Sequence, residues 1–319
     1  VFETKKGVKV LKITNKKVYN KMYTMKILFL EDTMWDYDFI INEILHNTST
    51  EIEFFNRKTF KLLSKRNDII EKNILIINKA CDIHEIINTV KHIKPLIIIY
   101  TSDEAGNISQ VTNLEKYTKV LLRQYNHKHY KYSENNYQIP LGYSKYYLSN
   151  KPSSSITPKK ITERELNCSF IGAFKTDRMI MKETFQKNMK NTKIEFVENY
   201  WELDKLPYTP QQCFEIYNNS IFVICGRGNS SLDCYRIYEA IVAGAIPVVV
   251  GKIDEIEITF HYNNNIPPLI YSDTWEKAVV KCNGLLNQPE QLQTIQNELL
   301  LWWKNQIKYI HEIIKNVLK

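Results

Sequence analysis

The sequence predicts an α/β protein built from two Rossmann-like domains, each a parallel sheet covered by helices. Three observations carry that expectation. Short β-branched apolar runs alternate with stretches of helical period; a Ser-, Pro- and Lys-containing break separates two such series; and Ser220 to Gly251 reads as strand, loop, helix and strand without interruption. A chain of 319 residues can give each domain its own core.

Val1 to Thr24 is lysine-rich and weakly patterned, and reads as an N-terminal extension before a possible original start at Met25. Met25 to Leu30 is an apolar strand, Tyr37 to His46 an amphipathic helix and Glu51 to Asn56 a second strand. Asn73 to Asn78 and Pro95 to Tyr100 have the near-continuous apolar character of buried parallel strands, with a helix over Ile83 to Ile93 between them. Ser149 to Thr162 has linker composition. A second series follows: strand Cys168 to Ile171, helix near Arg178 to Asn188, strand Lys193 to Glu198 and helix Thr209 to Tyr217. Pro289 suits the first position of a long terminal helix, because its missing N–H costs nothing there.

Within Ser220 to Gly251, Gly226-Arg227-Gly228 ends a β-rich run with residues that let backbone approach a ligand. Ser230 or Ser231 is the expected cap of the following helix, whose N-terminus could hold an anion. Asp233, Arg236 and Glu239 recur every third position, on one side of that helix. Arg227 and Arg236 each offer a planar fork to phosphate oxygens, and Glu239 can accept from a vicinal diol such as a ribose. Phosphate and ribose together point to a nucleotide. The alternative is an ion-paired, solvated helix face.

The same residues carry a resemblance. Arg227-Gly228, Asp233, Arg236, Glu239-Ala240, Gly244 and Ile246-Pro247-Val248 resemble the C-terminal signature of exostosin-type glycosyltransferases, family 47. Thr101 to Gly106 (TSDEAG), Leu121 to Tyr125 (LLRQY), Ile139 to Tyr143 (IPLGY) and Ser169 to Arg178 (SFIGAFKTDR) agree with it, and together look like the ribitol xylosyltransferase branch. The resemblance implies a GT-B fold, two Rossmann-like domains facing a central cleft with a C-terminal helix crossing back to the first. It also implies inverting transfer from a nucleotide sugar, usually a UDP-sugar, to a glycan or glycoconjugate. The expected division is then an extension over 1–24, an acceptor domain over 25–155, a nucleotide-sugar domain over 156–290 and the crossover helix over 291–319.

Gly172 ends a strand ahead of a helix bearing Arg178, and the resemblance places this loop at the donor diphosphate. The expected donor-binding set is Gly172, Arg178, Arg227, Gly228, Ser230, Ser231, Asp233, Arg236 and Glu239. Inverting transfer also needs a general base. Asp103 and Glu104 are the candidates, because they follow a strand where α/β sheets place ligands, with His127 and His129 as alternatives. The alternative for the acidic pair is a turn or helix cap.

Asp36-Tyr37-Asp38 matches an Asp-x-Asp metal string, but sits where a first helix begins and aspartates serve free amides, so no metal site and no cofactor is expected. The absence of GxGxxG argues against a nicotinamide dehydrogenase. A net charge of +8 favours anionic partners without choosing among them, and no recognised nucleic-acid motif interleaves the lysines, so no nucleic acid is expected. The six cysteines contain no CxxC pair and read as reduced thiols. No apolar run reaches the ~18 residues of a membrane span. The sequons at Asn167 and Asn229 fall in a buried strand and the proposed phosphate loop, and are expected to be unused. These features lean cytoplasmic, the alternative being a Golgi-lumen protein whose anchor has been removed. A catalytically inactive glycan-binding or scaffold subunit with a retained nucleotide site is the rival from another class.

Overall fold

The structure, a computed structural model, describes residues 2–5, 8–12, 25–46, 50–67, 69, 73–130, 133–197 and 207–319. The chain divides into two compact units. Unit 1 comprises Val1–Tyr37, Ile44–Pro140 and Tyr309–Lys319; unit 2 comprises Asp38–Glu43 and Leu141–Lys308.

Unit 1 holds β1 (Phe2–Lys5), β2 (Val8–Lys12), β3 (Met25–Leu30), β4 (Thr50–Phe55), α1 (Arg57–Leu63), β5 (Asn73–Asn78), α2 (Ile83–Ile93), β6 (Ile97–Thr101), β7 (Val120–Arg123) and β8 (Asn136–Gln138). Its sheet runs β1-β2-β4-β3-β5-β6-β7-β8. The six strands from β4 to β8 are parallel, while β1 and β2 join antiparallel at one edge. Part of the expected N-terminal extension is therefore sheet; its residues 1, 6, 7 and 13–24 lie outside the described residues. All six side chains of β5 are buried, which explains its unbroken apolar run. The helices start where the sequence supplies caps. Asn56 accepts from the backbone N–H groups of Lys58 and Thr59, and Asp82 from those of His84 and Glu85. The helix expected over Tyr37 to His46 is less regular: a 3-10 turn, Glu31–Asp36, runs into a π-helical segment, Phe39–Ile44.

Unit 2 holds β9 (Leu166–Ala173), α3 (Thr176–Asn188), β10 (Thr192–Val197), α4 (Pro210–Asn218), β11 (Ser220–Cys225), α5 (Tyr235–Val242), β12 (Ile246–Val250), α6 (Ile253–Thr259), β13 (Ile270–Ser272), α7 (Trp275–Leu286) and α8 (Pro289–Leu318). Its sheet is wholly parallel, in the order β10-β9-β11-β12-β13. Pro247 is tolerated in this interior strand because it precedes Val248, where pairing with β13 begins. The linker-like run 149–162 lies inside unit 2, and the last residues of α8, from Tyr309, belong to unit 1, where Tyr309 meets the ring of Tyr137.

One buried side chain ties several segments of unit 2 together. Arg164 donates to the carbonyls of Lys159, Tyr217, Ser220 and Ala243, at 2.7–3.1 Å. Burial pushes its guanidinium down to about 10. Gly244 follows α5 at φ +72°, and a Cβ there would lie 2.7 Å from the Arg164 guanidinium and 2.4 Å from Pro158, so glycine is needed for both conformation and space. Among the described residues, no helix is long and apolar enough to cross a membrane.

Candidate donor site and candidate base

In unit 2 the chain steps from β9 to β10, then returns to the other side of β9 to form β11. The crevice beyond the C-terminal ends of β9 and β11 is thus the topological switch point, where open α/β sheets bind ligands. Every residue of the expected donor set except Glu239 and Arg236 lies at the end of β9, in the loops leaving β9 and β11, or at the start of α3; those two are on α5.

Two arginines meet at this point. Arg236 is 4% exposed and donates through Nε and a terminal N–H to the Ile171 carbonyl, at 3.1 and 3.0 Å. Arg178 is 5% exposed and donates to the carbonyls of Ala173 at 2.8 Å and Arg227 at 2.5 Å. The ring of Phe170 carries both guanidiniums, at 4.3 Å for Arg236 and 5.5 Å for Arg178. Gly172 is a glycine because Arg236 is there: an added Cβ would sit 2.3 Å from its terminal nitrogen. Gly226 likewise lets Arg178 approach, at 3.2 Å.

The loop between β11 and α5 departs from the expectation. Neither serine caps a helix. The Gly228 N–H donates to the Ser231 carbonyl at 2.9 Å, and the Asp233 N–H donates to Ser231 Oγ at 3.1 Å, so residues 228–233 are spent on a braced turn. Helix α5 therefore begins only at Tyr235, with Cys234 before it and no side-chain cap. Asp233 lies outside the helix and does not share a face with Arg236 and Glu239. It is fully buried and accepts from the Tyr238 hydroxyl at 2.7 Å, which in turn is bonded to the hydroxyl of Tyr262. Ser230 is exposed, and its carbonyl lies 3.4 Å from an Arg227 nitrogen.

The solvated-face alternative for α5 also fails, since Arg236 through Val242 are all buried. Glu239 is 3% exposed, and its Oε1 accepts from Ser144, through the backbone N–H at 3.2 Å and the hydroxyl at 2.7 Å. Burial raises its carboxyl above the ordinary value, against the opposing pull of these bonds and of the Arg236 charge. The Tyr147 hydroxyl donates to the Glu239 carbonyl at 2.9 Å. The IPLGY segment thus delivers Ser144 to α5, a role its sequence did not announce.

Arg227 is the most exposed of the three arginines, with 36% of its side chain accessible, and it forms a two-pronged ion pair with Glu255 of α6, one contact at 2.8 Å. Lys175, on the loop after β9, donates to the Gly228 carbonyl and to Asn229 Oδ1, the latter at 2.9 Å. Sequence reasoning selected neither Lys175 nor Glu255. Lys175 had a signal, its place within SFIGAFKTDR beside Arg178; Glu255 had none.

The candidate bases lie in unit 1, after β6. Asp103 is 3% exposed and its Oδ2 accepts from the Tyr130 hydroxyl. Glu104 beside it is half-buried. His127 Nε2 donates to the Asp103 carbonyl at 3.1 Å; a carbonyl can only accept, so the lone pair of the neutral ring is on Nδ1. Burial pushes the His127 imidazole below its ordinary value. The ring rests on Gly106, at φ +63°, where a Cβ would come within 2.5 Å of it, and stacks on exposed His129 at 5.7 Å. Asp103, His127 and Tyr130 thus form one cluster. The switch point of unit 1, however, falls between β3 and β5, one strand away from β6. In the Asp-x-Asp string, Asp36 Oδ1 accepts from Gln124 at 3.0 Å and Asp38 Oδ2 from the Tyr146 N–H at 2.7 Å.

Residues 147–319 match the family model of the RXYLT1 C-terminal domain. No curated protein matches the sequence significantly. Among solved structures, Anabaena Alr3699/HepE in complex with UDP-glucose is similar over 92% of this chain and 99% of its own, at 10% identity and a TM-score of 0.53. An alpha1,3-fucosyltransferase with GDP-fucose is similar over 96% of this chain and 94% of its own, at 11% identity and a TM-score of 0.50. At these identities the likeness is one of fold, and the fold is GT-B.

Proposed function

The chain belongs to the RXYLT1 C-terminal domain family, a ribitol xylosyltransferase-like branch related to the exostosins, and from that premise we propose that it is an inverting glycosyltransferase. It moves a sugar, xylose or another sugar carried on UDP, to a hydroxyl of a glycan or glycoconjugate. The observation that carries this reading is the pair Arg178 and Arg236, buried side by side on Phe170 at the switch point of unit 2.

In this reading the arginines, with Arg227 and Lys175, stabilise the charge that develops on the leaving diphosphate, a task that fixed cations perform without a metal. Glu239 reads the ribose, its Oε1 steadied by Ser144. The acceptor hydroxyl gives its proton to a base from the cluster after β6. Glu104 and His127 suit that step better than Asp103, whose carboxylate is buried under Tyr130.

A thermal-shift panel of nucleotides and nucleotide sugars tests the donor assignment, because a ligand bound only by the folded state raises the melting temperature. Stabilisation by UDP and one UDP-sugar, but not by uridine, is the expected result; no stabilisation by any nucleoside diphosphate would sink it. The burial of Asp103 favours a second reading, a glycan-binding subunit that retains the nucleotide site. Donor binding without transfer or donor hydrolysis would decide for that reading.

A further inference from the structure

Arg227 and Glu255 form an ion pair. Arg227 stands in the loop leaving β11, Glu255 on the first turn of α6, and a third of each side chain is accessible. The guanidinium engages both carboxylate oxygens, in the planar geometry with which the same fork engages two phosphate oxygens. Glu255 thus occupies Arg227 as an anion of the protein's own. Arg178 and Arg236, in contrast, donate to main-chain carbonyls.

We propose that Glu255 is a specificity-determining counter-ion of the donor site, which holds Arg227 in the ligand-free protein and is displaced by the diphosphate of the donor. This inference rests on the donor-site reading above and deepens it. An incoming anion must out-compete a two-pronged carboxylate for Arg227. A diphosphate sets more negative charge and more oxygens against Arg227 than a monoanion, which gains too little to displace Glu255. The displaced carboxylate then faces the bound diphosphate and repels it, which hastens release of the nucleotide product.

The test is calorimetric titration of UDP into the full chain and into Glu255→Gln, Arg227→Ala and the double variant, with thermal melts to confirm folding. Glu255→Gln removes the competitor and keeps the shape, so UDP should bind about two- to fivefold more tightly, in line with a partly exposed ion pair. The gain should vanish when Arg227 is already Ala. An ion pair with only a structural role would leave affinity unchanged or lower it on Glu255→Gln, and either outcome overturns the proposal. So does a gain that persists in the Arg227→Ala background, because Glu255 would then act on the ligand directly. Absence of UDP binding to the wild type and every variant would overturn the donor-site reading and the counter-ion with it.

Discussion

Ser144 donates twice to one oxygen of Glu239, from its backbone and from its hydroxyl, and so holds a carboxylate that burial works to protonate. The raised carboxyl has a defined effect on stability. In the window above the ordinary value of 4.5 and below the raised native value, the unfolded chain has lost this proton and the native chain has kept it. Native protein therefore binds more protons, and stability falls as pH rises through that window. Urea melts between pH 4 and 8 should show this loss in the wild type and not in Glu239→Gln. Ser144→Ala, which removes the hydroxyl donor, should cost about 1–3 kcal/mol at neutral pH, the range for leaving a buried charged acceptor short of a partner. An unchanged denaturation midpoint in Ser144→Ala would mean that the backbone bond alone suffices.

Gly172→Ala places a methyl group where the Arg236 guanidinium lies, and the guanidinium is the part able to move. Unit 2 should remain folded while Arg236 leaves the Ile171 carbonyl. Nucleotide affinity should drop about tenfold or more, as for loss of one charge-assisted hydrogen bond of ~1.5–3 kcal/mol. Calorimetry with UDP checks it, and wild-type affinity in a well-folded Gly172→Ala would remove Arg236 from the ligand.

Among the bases, Glu104→Gln and His127→Asn separate two routes for the acceptor proton. Removing the true base should lower turnover ~10²–10⁴-fold and spare donor binding. If His127 is the base, the pH profile adds a signature: activity needs its neutral ring and is lost as pH falls through its pKa. Burial places that pKa below the ordinary 6.5, so the acid limb of the rate profile should lie below pH 6.5. An acid limb that stays in place in His127→Asn would return the role to Glu104.

Metal dependence is a third discriminator. With arginines opposing the leaving-group charge, sugar transfer should survive an excess of chelator. Loss of transfer on chelation, with rescue by Mn²⁺ or Mg²⁺, would contradict the metal-free mechanism and direct attention to Asp36 and Asp38.

The parallel core was legible because buried strands are written in consecutive apolar residues, as in Asn73–Asn78 and Ser220–Cys225, whose limits the sequence already delimits. The glycines of the candidate site were legible only in part: the sequence set them aside for close approach of a ligand, and in the fold Gly172 and Gly226 give room to Arg236 and Arg178. The start of α5 was not. Serines at 230 and 231 have the chemistry of caps, but the braced turn uses the Ser231 hydroxyl and carbonyl, and no local pattern distinguishes the two uses. Long-range polar partners were equally hidden. Nothing at Glu255 points to Arg227, nor at Ser144 to Glu239, because such pairs are set by the packing of distant segments. The short strands Phe2–Lys5 and Val8–Lys12 were missed since their lysines mask any alternation.

Arg164 gathers carbonyls from segments as distant as Lys159 and Ala243, and those carbonyls come together only after α4, β11 and α5 have docked. Its bonds are therefore expected to form late in folding, so that Arg164→Ala should speed unfolding more than it slows folding. A side chain placed so late has little say in how fast unit 2 folds and a large say in how slowly it comes apart. The clasp works as a brake on unfolding, releasing four main-chain carbonyls together once the guanidinium lets go.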